Sequence, residues 1–376
     1  MNILMLLANP FDNDPRVYNE AKTIISAGHR VTVLAWDKTK SYQKREKKED
    51  IEIIRSYNTR LMDIMPYDIF KLHLWWNKGF NDSLDFLKEN SFDVIHCHDL
   101  SSLPIGIKLK KKFGLPLIYD AHEIWGYMVE KDVPWWRYYI WKEKKLLKNV
   151  DHLIVTNNSR KKFYISKISC PVSVIDNYKN LVSNKLTKPP NDGKKKLTIL
   201  YIGGFIEKRF LLELIDVVGK IDNVKLRIGG RGKLYRKIEE KVKLHKNVEF
   251  LGTVPSEKVI SFTVNSDVVF CMIAPHDKND ITASTNKQFE AMVAGRPIIT
   301  SNGTYSGEFT KNLEVGLSIP YSKKSLEKAI INIRDNIELR DKLGKNAFYH
   351  AIKNYNWKKQ ERKIVEIYKN IKTKKL

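Results

Sequence analysis

Short apolar runs rich in β-branched residues alternate with stretches of helical periodicity along the whole chain. Each run is apolar on both faces, which is typical of strands buried in a parallel sheet between two layers of helices. The pattern therefore predicts an α/β protein in which right-handed βαβ units form two successive sheets. The first series of predicted strands is 3–8, 30–36, 93–97, 115–119, 152–156 and 172–175, and the second is 197–202, 224–228, 248–251, 267–271, 297–300 and 316–319.

A chain of 376 residues is longer than one hydrophobic core usually supports, which agrees with the repeated pattern. The most linker-like stretch, residues 184–196, contains two prolines, an Asn-Asp-Gly turn and several lysines. We therefore expect one domain over residues 1–180 and a second over residues 181–355. Residues 356–376 are expected to form a C-terminal helix that packs back toward the first domain.

Composition indicates the kinds of partner and the cell compartment to expect. The 67 Lys and Arg against 43 Asp and Glu give a net charge of +24, which favours polyanionic partners such as anionic lipid, nucleic acid or phosphorylated substrates. Cys97, Cys170 and Cys271 show no CxxC spacing, so we expect reduced packing residues of a cytosolic protein. Residues 1–8 lack the basic region and cleavage site of a signal peptide, and no apolar run approaches the ~20 residues that cross a bilayer.

Residues 285–299 predict a helix that presents a cation and a carboxylate. Ser284 or Thr285 caps the helix, an apolar stripe faces the core, and a glycine ends it. A helix start favours an anion such as a diphosphate, and Lys287 adds a full charge there, while Glu290 can accept ribose hydroxyls. An ordinary amphipathic helix with an i, i+3 ion pair fits the same residues, so both interpretations stay open at this point.

Polar residues also follow the predicted strands of the first half. An Asp-Pro pair before Arg16 is typical of a helix start, which favours plain capping chemistry there. His98 comes directly after one strand, and the next strand is followed by Asp120, His122 and Glu123. Histidines near carboxylates can bind a metal, but the spacing matches no zinc pattern. We therefore expect hydroxyl binding by Asp120 and His122, and no metal.

Glycines and basic residues follow the strands of the second half. Gly203 and Gly204 end a predicted strand and leave room for a phosphate, with Lys208 and Arg209 at the next helix start. Gly230 repeats the arrangement after the following strand. No GxGxxG is present, and each feature alone is ordinary turn chemistry.

The order of these features resembles that of the family 4 glycosyltransferases of GT-B fold, over nearly the whole chain. The segments that match are 14–17, 98–99, 120–123, 174–177, 203–204, 208–209, 247–252, 286–290, 295–297 and Trp357. The resemblance implies two facing Rossmann-like domains and a retaining transfer of a hexose-type sugar without a metal or other cofactor. The implied donor is a UDP- or GDP-sugar, and the implied acceptor is a glycan or a lipid-linked molecule in cell-surface polysaccharide, lipopolysaccharide or capsule synthesis.

The resemblance also implies roles for single residues. Arg209 and Lys287 clamp the diphosphate, and His122 lies beside the reacting sugar, so these three form the implied catalytic set. The implied donor-binding residues are Gly203, Gly204, Lys208, Gly230, Thr282, Asn286, Glu290 and Glu308, and the implied acceptor-side residues are Arg16, His98, Asp120 and Glu123. Thr282 stands where the family has the first glutamate of its pair, which leaves the identity of the sugar, and activity itself, open.

Aromatic and basic residues concentrate in two predicted helices of the first half. Residues 134–148 mix Trp135, Trp136 and other rings with lysines, and residues 69–76 add Trp75 and Trp76. This composition is typical of a segment at the level of lipid headgroups, so we expect a cytoplasmic protein in peripheral contact with the anionic inner face of the cell membrane. The alternative is that these rings pack in the core.

Other functions are less well supported. Nucleic acid is not an expected partner, because the lysines are scattered and no recognition module is present. A nucleotide-sugar epimerase of the same fold would also need a diphosphate clamp, and a non-catalytic basic surface protein would need none. The Asp-Pro-Arg-Val and Asn-Lys-x-Phe-Glu segments favour the transferase.

Overall fold

The computed structural model describes residues 1–12, 14–128 and 135–371. The chain divides into two compact units. The first contains the residues up to Asp176 together with those from Gln360 onward, and the second runs from Asn177 to Lys359.

The described part of the first unit is built on an eight-stranded sheet of order β3-β4-β2-β1-β5-β6-β7-β8. Its neighbouring strands run parallel, except for the antiparallel pair β3 and β4. The strands are β1 (Asn2–Leu7), β2 (Arg30–Asp37), β3 (Arg45–Lys48), β4 (Ile51–Tyr57), β5 (Val94–His98), β6 (Leu117–Ala121), β7 (His152–Val155) and β8 (Val172–Val174). The helices between them are α1 (Pro15–Ser26), α2 (Arg60–Ile64), α3 (Asp68–Glu89), α4 (Asp99–Phe113), α5 (Trp135–Leu147) and α6 (Asn158–Ile165).

The described part of the second unit has a six-stranded parallel sheet of order β11-β10-β9-β12-β13-β14. The strands are β9 (Leu197–Gly204), β10 (Val224–Arg231), β11 (Val248–Gly252), β12 (Val268–Phe270), β13 (Ile298–Ser301) and β14 (Gly316–Ile319). The helices are α7 (Leu211–Val218), α8 (Tyr235–Val242), α9 (Ser256–Val264), α10 (Lys278–Thr282), α11 (Asn286–Ala294), α12 (Tyr305–Asn312), α13 (Lys323–Asp335) and α14 (Ile337–Lys353). A last helix, α15 (Trp357–Asn370), follows them.

Every predicted strand is present, with small shifts at its ends. The sequence prediction missed the hairpin of β3 and β4. The β3 sequence, Arg-Glu-Lys-Lys, has no apolar alternation and lies at the edge of the sheet, where charged residues discourage pairing with other chains. No hydrophobic pattern could therefore reveal β3, whereas β4 has an apolar run with buried Ile51, Ile53 and Ile54 that the prediction overlooked.

The stretch 184–196, which we interpreted as a linker, lies within the second unit. Two buried arginines hold it by donating to its backbone carbonyls. Arg296 donates to the oxygens of Thr187 and Lys188, and Arg340 donates to those of residues 191, 194 and 196. Because buried guanidinium groups need acceptors, these bonds fix a segment that has little apolar surface of its own.

Helix α15 begins in the second unit and ends in the first. Its aromatic residues Trp357 and Tyr368 are both buried. The Tyr368 hydroxyl lies 2.7 Å from Nδ1 of His96 on β5, so the end of this helix belongs to the core of the first unit.

Candidate functional site

The carboxyl ends of β9 and β12 and the start of α11 form one edge of the second unit. As predicted, the Thr285 hydroxyl caps α11 by accepting from the Gln288 amide, and Gly295 ends the helix at a φ of 66°. The apolar stripe of α11 is buried. The helix therefore presents its first turn, with Lys287, at the mouth of the sheet.

Lys287 lies close to the end of β9. Its Nζ is 4.8 Å from the centre of the Tyr201 ring, a cation–π contact. A Cβ atom at position 203 would come within 2.9 Å of Nζ, so glycine at this position makes room for the ammonium group. Gly203 therefore shapes the site by leaving space beside Lys287.

Lys287 and Arg209 form a pair of cations without a counterion. In the described part of the chain neither has an ion-pair partner, and Nη1 of Arg209 is buried without a hydrogen bond. Burial, reinforced by the charge of Arg209, lowers the pKa of Lys287 to about 8. Two neighbouring cations that lose solvation without gaining a partner are costly unless an anion binds between them.

Glu290 lies one turn further along α11. Its carboxylate is 3.4 Å from Nζ of Lys179, in the segment that follows β8. The charge of Glu290 also acts on Lys287, although more weakly than that of Arg209. Lys287, Arg209 and Glu290 are thus brought together, and Lys179 is a neighbour that the sequence analysis missed.

The other donor-side residues have varied surroundings. Nζ of Lys208 lies 2.8 Å from Asp277 and 2.7 Å from Asp280, so its charge has other partners than a diphosphate. The Thr282 hydroxyl donates to the carbonyl of Lys278, in its own helix. Gly230 is buried, and a Cβ atom there would overlap the Gly203 carbonyl, which makes it a strand-packing glycine. Gly204, Asn286 and Glu308 are exposed.

In the first unit, Arg16 is buried on α1 and forms a bidentate pair with Asp120 at the end of β6. Its Nε and Nη2 donate to the two carboxylate oxygens at 3.0 and 2.8 Å, and its Nη1 donates to the Ile175 carbonyl. Glu20, one turn along α1, lies 3.1 Å from Nε of Arg16. Asp14 caps α1, as predicted. Arg16 does more than occupy the helix start, because its guanidinium group also binds Asp120.

His122 is held between two carboxylates. Its Nε2 is 2.9 Å from Asp120 and its Nδ1 is 3.4 Å from Asp99, while its backbone amide donates to Asp99 at 3.0 Å. Burial opposes the charged imidazolium, but Asp120 and Asp99 outweigh it and raise the pKa of His122 to about 9. His122 is therefore a cation at neutral pH, with both ring N–H groups directed at carboxylates.

The remaining acceptor-side residues lie around this group. His98 is fully buried, with Nδ1 3.4 Å from Nε2 of His122. Glu123 pairs at 2.5 Å with Arg160. The sequence analysis missed Glu20, whose signal was its i, i+4 spacing from Arg16, and also Arg160. Asp99 was included with His98 among the segments that match the family, but it was given no role. Burial, followed by the nearby Asp120 charge, raises the pKa of Glu20, whereas Arg16 opposes that rise.

Ligand atoms of Glu20, His96, His98 and Asp120 lie within 4.8 Å of one another, a spacing that a metal ion could use. Arg16, however, pairs with both carboxylates of this group and supplies positive charge there. The expectation that no metal takes part stays a prediction.

The aromatic residues of the first unit divide between core and surface. Trp75 and Trp76 are buried, with Trp75 stacked on Trp36, so their expected place on the surface was wrong. They lie on the inner side of α3, where a large ring fills the space over the sheet. Trp135 and Trp141 on α5 are exposed, as are four side chains that the sequence analysis did not identify: Leu61, Ile64, Tyr67 and Phe70.

Comparison with known proteins gives the class of the molecule. The solved structure of a sucrose-phosphate synthase from Thermosynechococcus elongatus aligns with a TM-score of 0.80 over 98% of both chains at 19% identity. The Anabaena protein HepE, solved in complex with UDP-glucose, aligns with a TM-score of 0.73 over 99% of this chain and 100% of that one at 14% identity. The fold is therefore that of the GT-B glycosyltransferases, with two Rossmann-like domains.

Sequence comparison defines the family. Residues 16–178 match the model of Glycosyltransferase Family 4, and residues 183–350 match that of Glycosyl transferases group 1. The GPI3 subunit of the phosphatidylinositol N-acetylglucosaminyltransferase of Saccharomyces cerevisiae is 23% identical over 94% of this chain and 79% of its own. The chain therefore belongs to the glycosyltransferases, of the type that these two models describe. The epimerase alternative gains no support from these comparisons.

Proposed function

We propose that the protein transfers a hexose-type sugar from a UDP-sugar to a glycan or lipid-linked acceptor, with retention and without a metal. The observation that carries the proposal is the pair formed by Arg209 and Lys287, two neighbouring cations without a counterion at the strand ends of the second unit. A diphosphate supplies the missing negative charge. The known complexes of HepE with UDP and UDP-glucose support this choice of nucleotide.

In the proposed transfer, the cation pair of Arg209 and Lys287 stabilises the leaving group. As the bond between the sugar and the diphosphate breaks, negative charge builds up on the leaving group. Arg209 and Lys287 are already in place and half-buried, so they stabilise that charge more than water does. Glu290 accepts the ribose hydroxyls in this proposal, and Lys179 keeps its carboxylate oriented until the nucleotide binds.

On the acceptor side, we assign His122 the role of an electrostatic and hydrogen-bonding group. Both of its ring N–H groups already point at carboxylates, so the imidazolium is held in one orientation and is not a free base. Arg16 holds the Asp120 carboxylate in place, and this carboxylate in turn orients the His122 ring. We propose the synthesis of a cell-surface polysaccharide, such as lipopolysaccharide or capsule, as the setting of this transfer.

A thermal-shift panel tests the proposal. The protein is heated with UDP, GDP, ADP, UDP-glucose and UDP-N-acetylglucosamine, each at several concentrations. A ligand that binds the native state raises the melting temperature in proportion to the logarithm of its concentration, so UDP and its sugars are expected to raise it and ADP is not. No shift with any uridine ligand would contradict the proposal.

The affinity for UDP is expected to fall as pH rises above about 8. Lys287 carries its charge only below its pKa of about 8, which burial and then Arg209 keep low, so binding of the diphosphate must take up a proton at higher pH. The dissociation constant should rise by up to about tenfold per pH unit above this value. Calorimetric titration between pH 7 and 9.5 measures it.

Lys287→Arg is the control for this pH dependence. A guanidinium keeps its charge throughout the range, so the variant should show a flat profile. A flat profile in the wild-type protein would show that the charge of Lys287 does not take part in binding.

We also propose that the first unit contacts an anionic membrane surface. None of the described helices has an apolar stretch long enough to cross a bilayer, so such contact is peripheral. Four exposed rings, together with two exposed aliphatic side chains, form what we call the aromatic surface: Tyr67, Phe70, Trp135 and Trp141, with Leu61 and Ile64. Its rings follow one another at centroid distances of 6.0 Å from Tyr67 to Phe70 and 6.4 Å from Phe70 to Trp135.

The charges on α5 also favour an anionic membrane as the partner. The one carboxylate of α5, Glu143, points inward and accepts hydrogen bonds from Tyr119 and Tyr164 at 2.7 and 2.9 Å. The outer charges of α5 are consequently all cationic: Arg137, Lys142, Lys144 and Lys145. Exposed rings beside cations suit an anionic headgroup layer, which places a lipid-linked acceptor near the first unit. The lipid named for the GPI3 relative is in keeping with this acceptor class.

The double variant Tyr67→Ser with Trp141→Ser is expected to bind vesicles of phosphatidylcholine and phosphatidylglycerol at least about tenfold more weakly, because it removes two large inserting side chains. Co-sedimentation measures the bound fraction. Leu244→Ser is the matched control, since Leu244 is 76% exposed in the second unit. Equal loss in the control, or no loss in the double variant, would contradict membrane contact through the aromatic surface.

A further inference from the structure

Near its end, α15 places a tyrosine in the buried core of the first unit. Tyr368 is 1% exposed, and its hydroxyl lies 2.7 Å from Nδ1 of His96 on β5. Burial, reinforced by the charges of Glu20 and Asp120, raises the pKa of Tyr368 well above its usual range, so the hydroxyl keeps its proton at neutral pH. In the part of the chain that the structure describes, His96 is the one hydrogen-bond partner of this hydroxyl. Since a buried hydroxyl proton needs an acceptor, Tyr368 donates to Nδ1 of His96.

This hydrogen bond determines where His96 carries its proton. His96 is 1% exposed, and burial, reinforced by the neighbouring His98, holds its pKa well below the usual range. The ring is therefore neutral and has one N–H group, which is on Nε2 because Nδ1 accepts from Tyr368. Nε2 lies 4.0 Å from Oε2 of Glu20 on α1 and has no hydrogen-bond partner among the described residues. An N–H group, not a lone pair, thus faces the Glu20 carboxylate.

Glu20 links His96 to three side chains that we call the acceptor-side network: Arg16, Asp120 and His122. The Glu20 carboxylate lies 3.1 Å from Nε of Arg16, one turn earlier on the same helix. Arg16 in turn holds Asp120 through both carboxylate oxygens, and Asp120 holds the His122 ring. A lone pair on Nε2 of His96 would repel the Glu20 carboxylate, whereas the N–H group attracts it. The proton position on His96 therefore acts on the network through Glu20.

Packing gives His96 a second contact with the network. His98 comes two residues later on the same face of β5, and the centres of the two imidazole rings are 4.3 Å apart. Nδ1 of His98 lies 3.7 Å from Asp120 and 3.4 Å from Nε2 of His122. A His96 ring that lost its bond to Tyr368 and turned would therefore disturb His98 as well.

We infer that Tyr368 is a positioning residue for sugar transfer, because its bond to His96 keeps the acceptor-side network in the arrangement that the reaction uses. The inference rests on the proposed function, which places His122 beside the reacting sugar. Tyr368 acts through other side chains, so its loss should affect the rate of transfer and leave donor binding in the second unit unchanged. The end of α15 thereby becomes part of the acceptor-side site.

Nitrogen-15 NMR of protein labelled at its nine histidines tests the hydrogen bond directly. The His96 signals are assigned by their absence in the variant His96→Gln. The wild-type protein should carry the His96 proton on Nε2, and Tyr368→Phe should move a detectable fraction of it to Nδ1, which no longer accepts. A proton on Nδ1 in the wild type, or the same distribution in both proteins, would overturn the inference.

Kinetics test the effect on the reaction. Tyr368→Phe should lower kcat for transfer from UDP-glucose by about tenfold, as expected for the loss of one buried hydrogen bond, and change the KM of UDP-glucose less than about twofold. Tyr139→Phe is the matched control, because Tyr139 is also fully buried in the first unit and its hydroxyl has no hydrogen-bond partner among the described residues. The control should keep the wild-type kcat. An unchanged kcat in Tyr368→Phe, or the same loss in both variants, would contradict the positioning role.

His96→Gln is the second kinetic variant and covers the case in which Tyr368→Phe does not fold. It removes the next member of the same chain of contacts, so kcat should again fall by about tenfold or more while UDP binds as in the wild type. A wild-type kcat in His96→Gln would overturn the inference. Absence of UDP binding or of transfer in the wild-type protein would overturn the proposed function instead, and the position of the His96 proton would still be measured.

Discussion

Replacing Arg209 or Lys287 with methionine is expected to remove the stabilisation by UDP and to reduce sugar transfer by about 100- to 1000-fold for each change, the usual effect of deleting one preorganised group that stabilises a leaving charge. Both side chains are long and partly apolar, so methionine preserves most of their packing. The measurements are the shift in melting temperature with UDP and the rate of transfer from UDP-glucose to a set of acceptors.

The same substitution of Lys287 should make the unliganded protein more stable. Burial and the neighbouring Arg209 charge hold the pKa of Lys287 near 8, below its value in the unfolded chain, so the charged lysine opposes folding at neutral pH. Removing it is expected to add about 2 kcal/mol to the free energy of unfolding. Higher stability together with lost UDP binding marks a functional cation pair, whereas lower stability with intact UDP binding would show that Lys287 serves only packing.

Asp120→Asn is expected to destabilise the first unit by about 3–5 kcal/mol, the usual cost of removing one partner from a buried ion pair. Asp120 is fully buried and accepts from Arg16 through both oxygens and from His122 at 2.9 Å. An asparagine has the same shape but no charge, so the buried Arg16 and the half-buried His122 would lose their counterion. Chemical denaturation followed by circular dichroism measures the change.

The control for this prediction is Asp85→Asn. Asp85 also forms an ion pair, with Lys88 at 2.9 Å, but both side chains are about three-quarters exposed, at 76% and 74%. Exposed pairs contribute about 0–1 kcal/mol, so this variant should unfold close to the wild type. If Asp120→Asn also unfolded at the wild-type midpoint, the buried network around Arg16 would not hold the first unit together.

The sequence predicted the sheets well because both are buried on two faces, so each strand shows as an apolar run. It could not predict β3, which is charged and at an edge, nor the assignment of residues 184–196 to the second unit, which depends on hydrogen bonds from Arg296 and Arg340 far along the chain. Capping residues such as Thr285 were predictable because a cap depends only on local geometry.

The sequence indicated which residues belong to the candidate site, but not which of them form ion pairs with one another. Strand-end position pointed to Arg16, Asp120 and His122, and helix-start position pointed to Lys287. Which charge pairs with which is a tertiary property, so the sequence could not show that Lys208 is neutralised by two acids or that Arg209 is left without a counterion. The sequence also could not show which aromatic side chains are exposed. Trp75 and Trp141 both lie in segments rich in aromatic and basic residues, yet Trp75 is in the core and Trp141 is at the surface.

The most direct measurement is a crystal structure of the protein soaked or grown with UDP. The account predicts that the diphosphate oxygens lie within hydrogen-bonding distance of Nη1 of Arg209 and Nζ of Lys287, with the ribose at Glu290. UDP bound elsewhere, with both cations still lacking an anion, would contradict it.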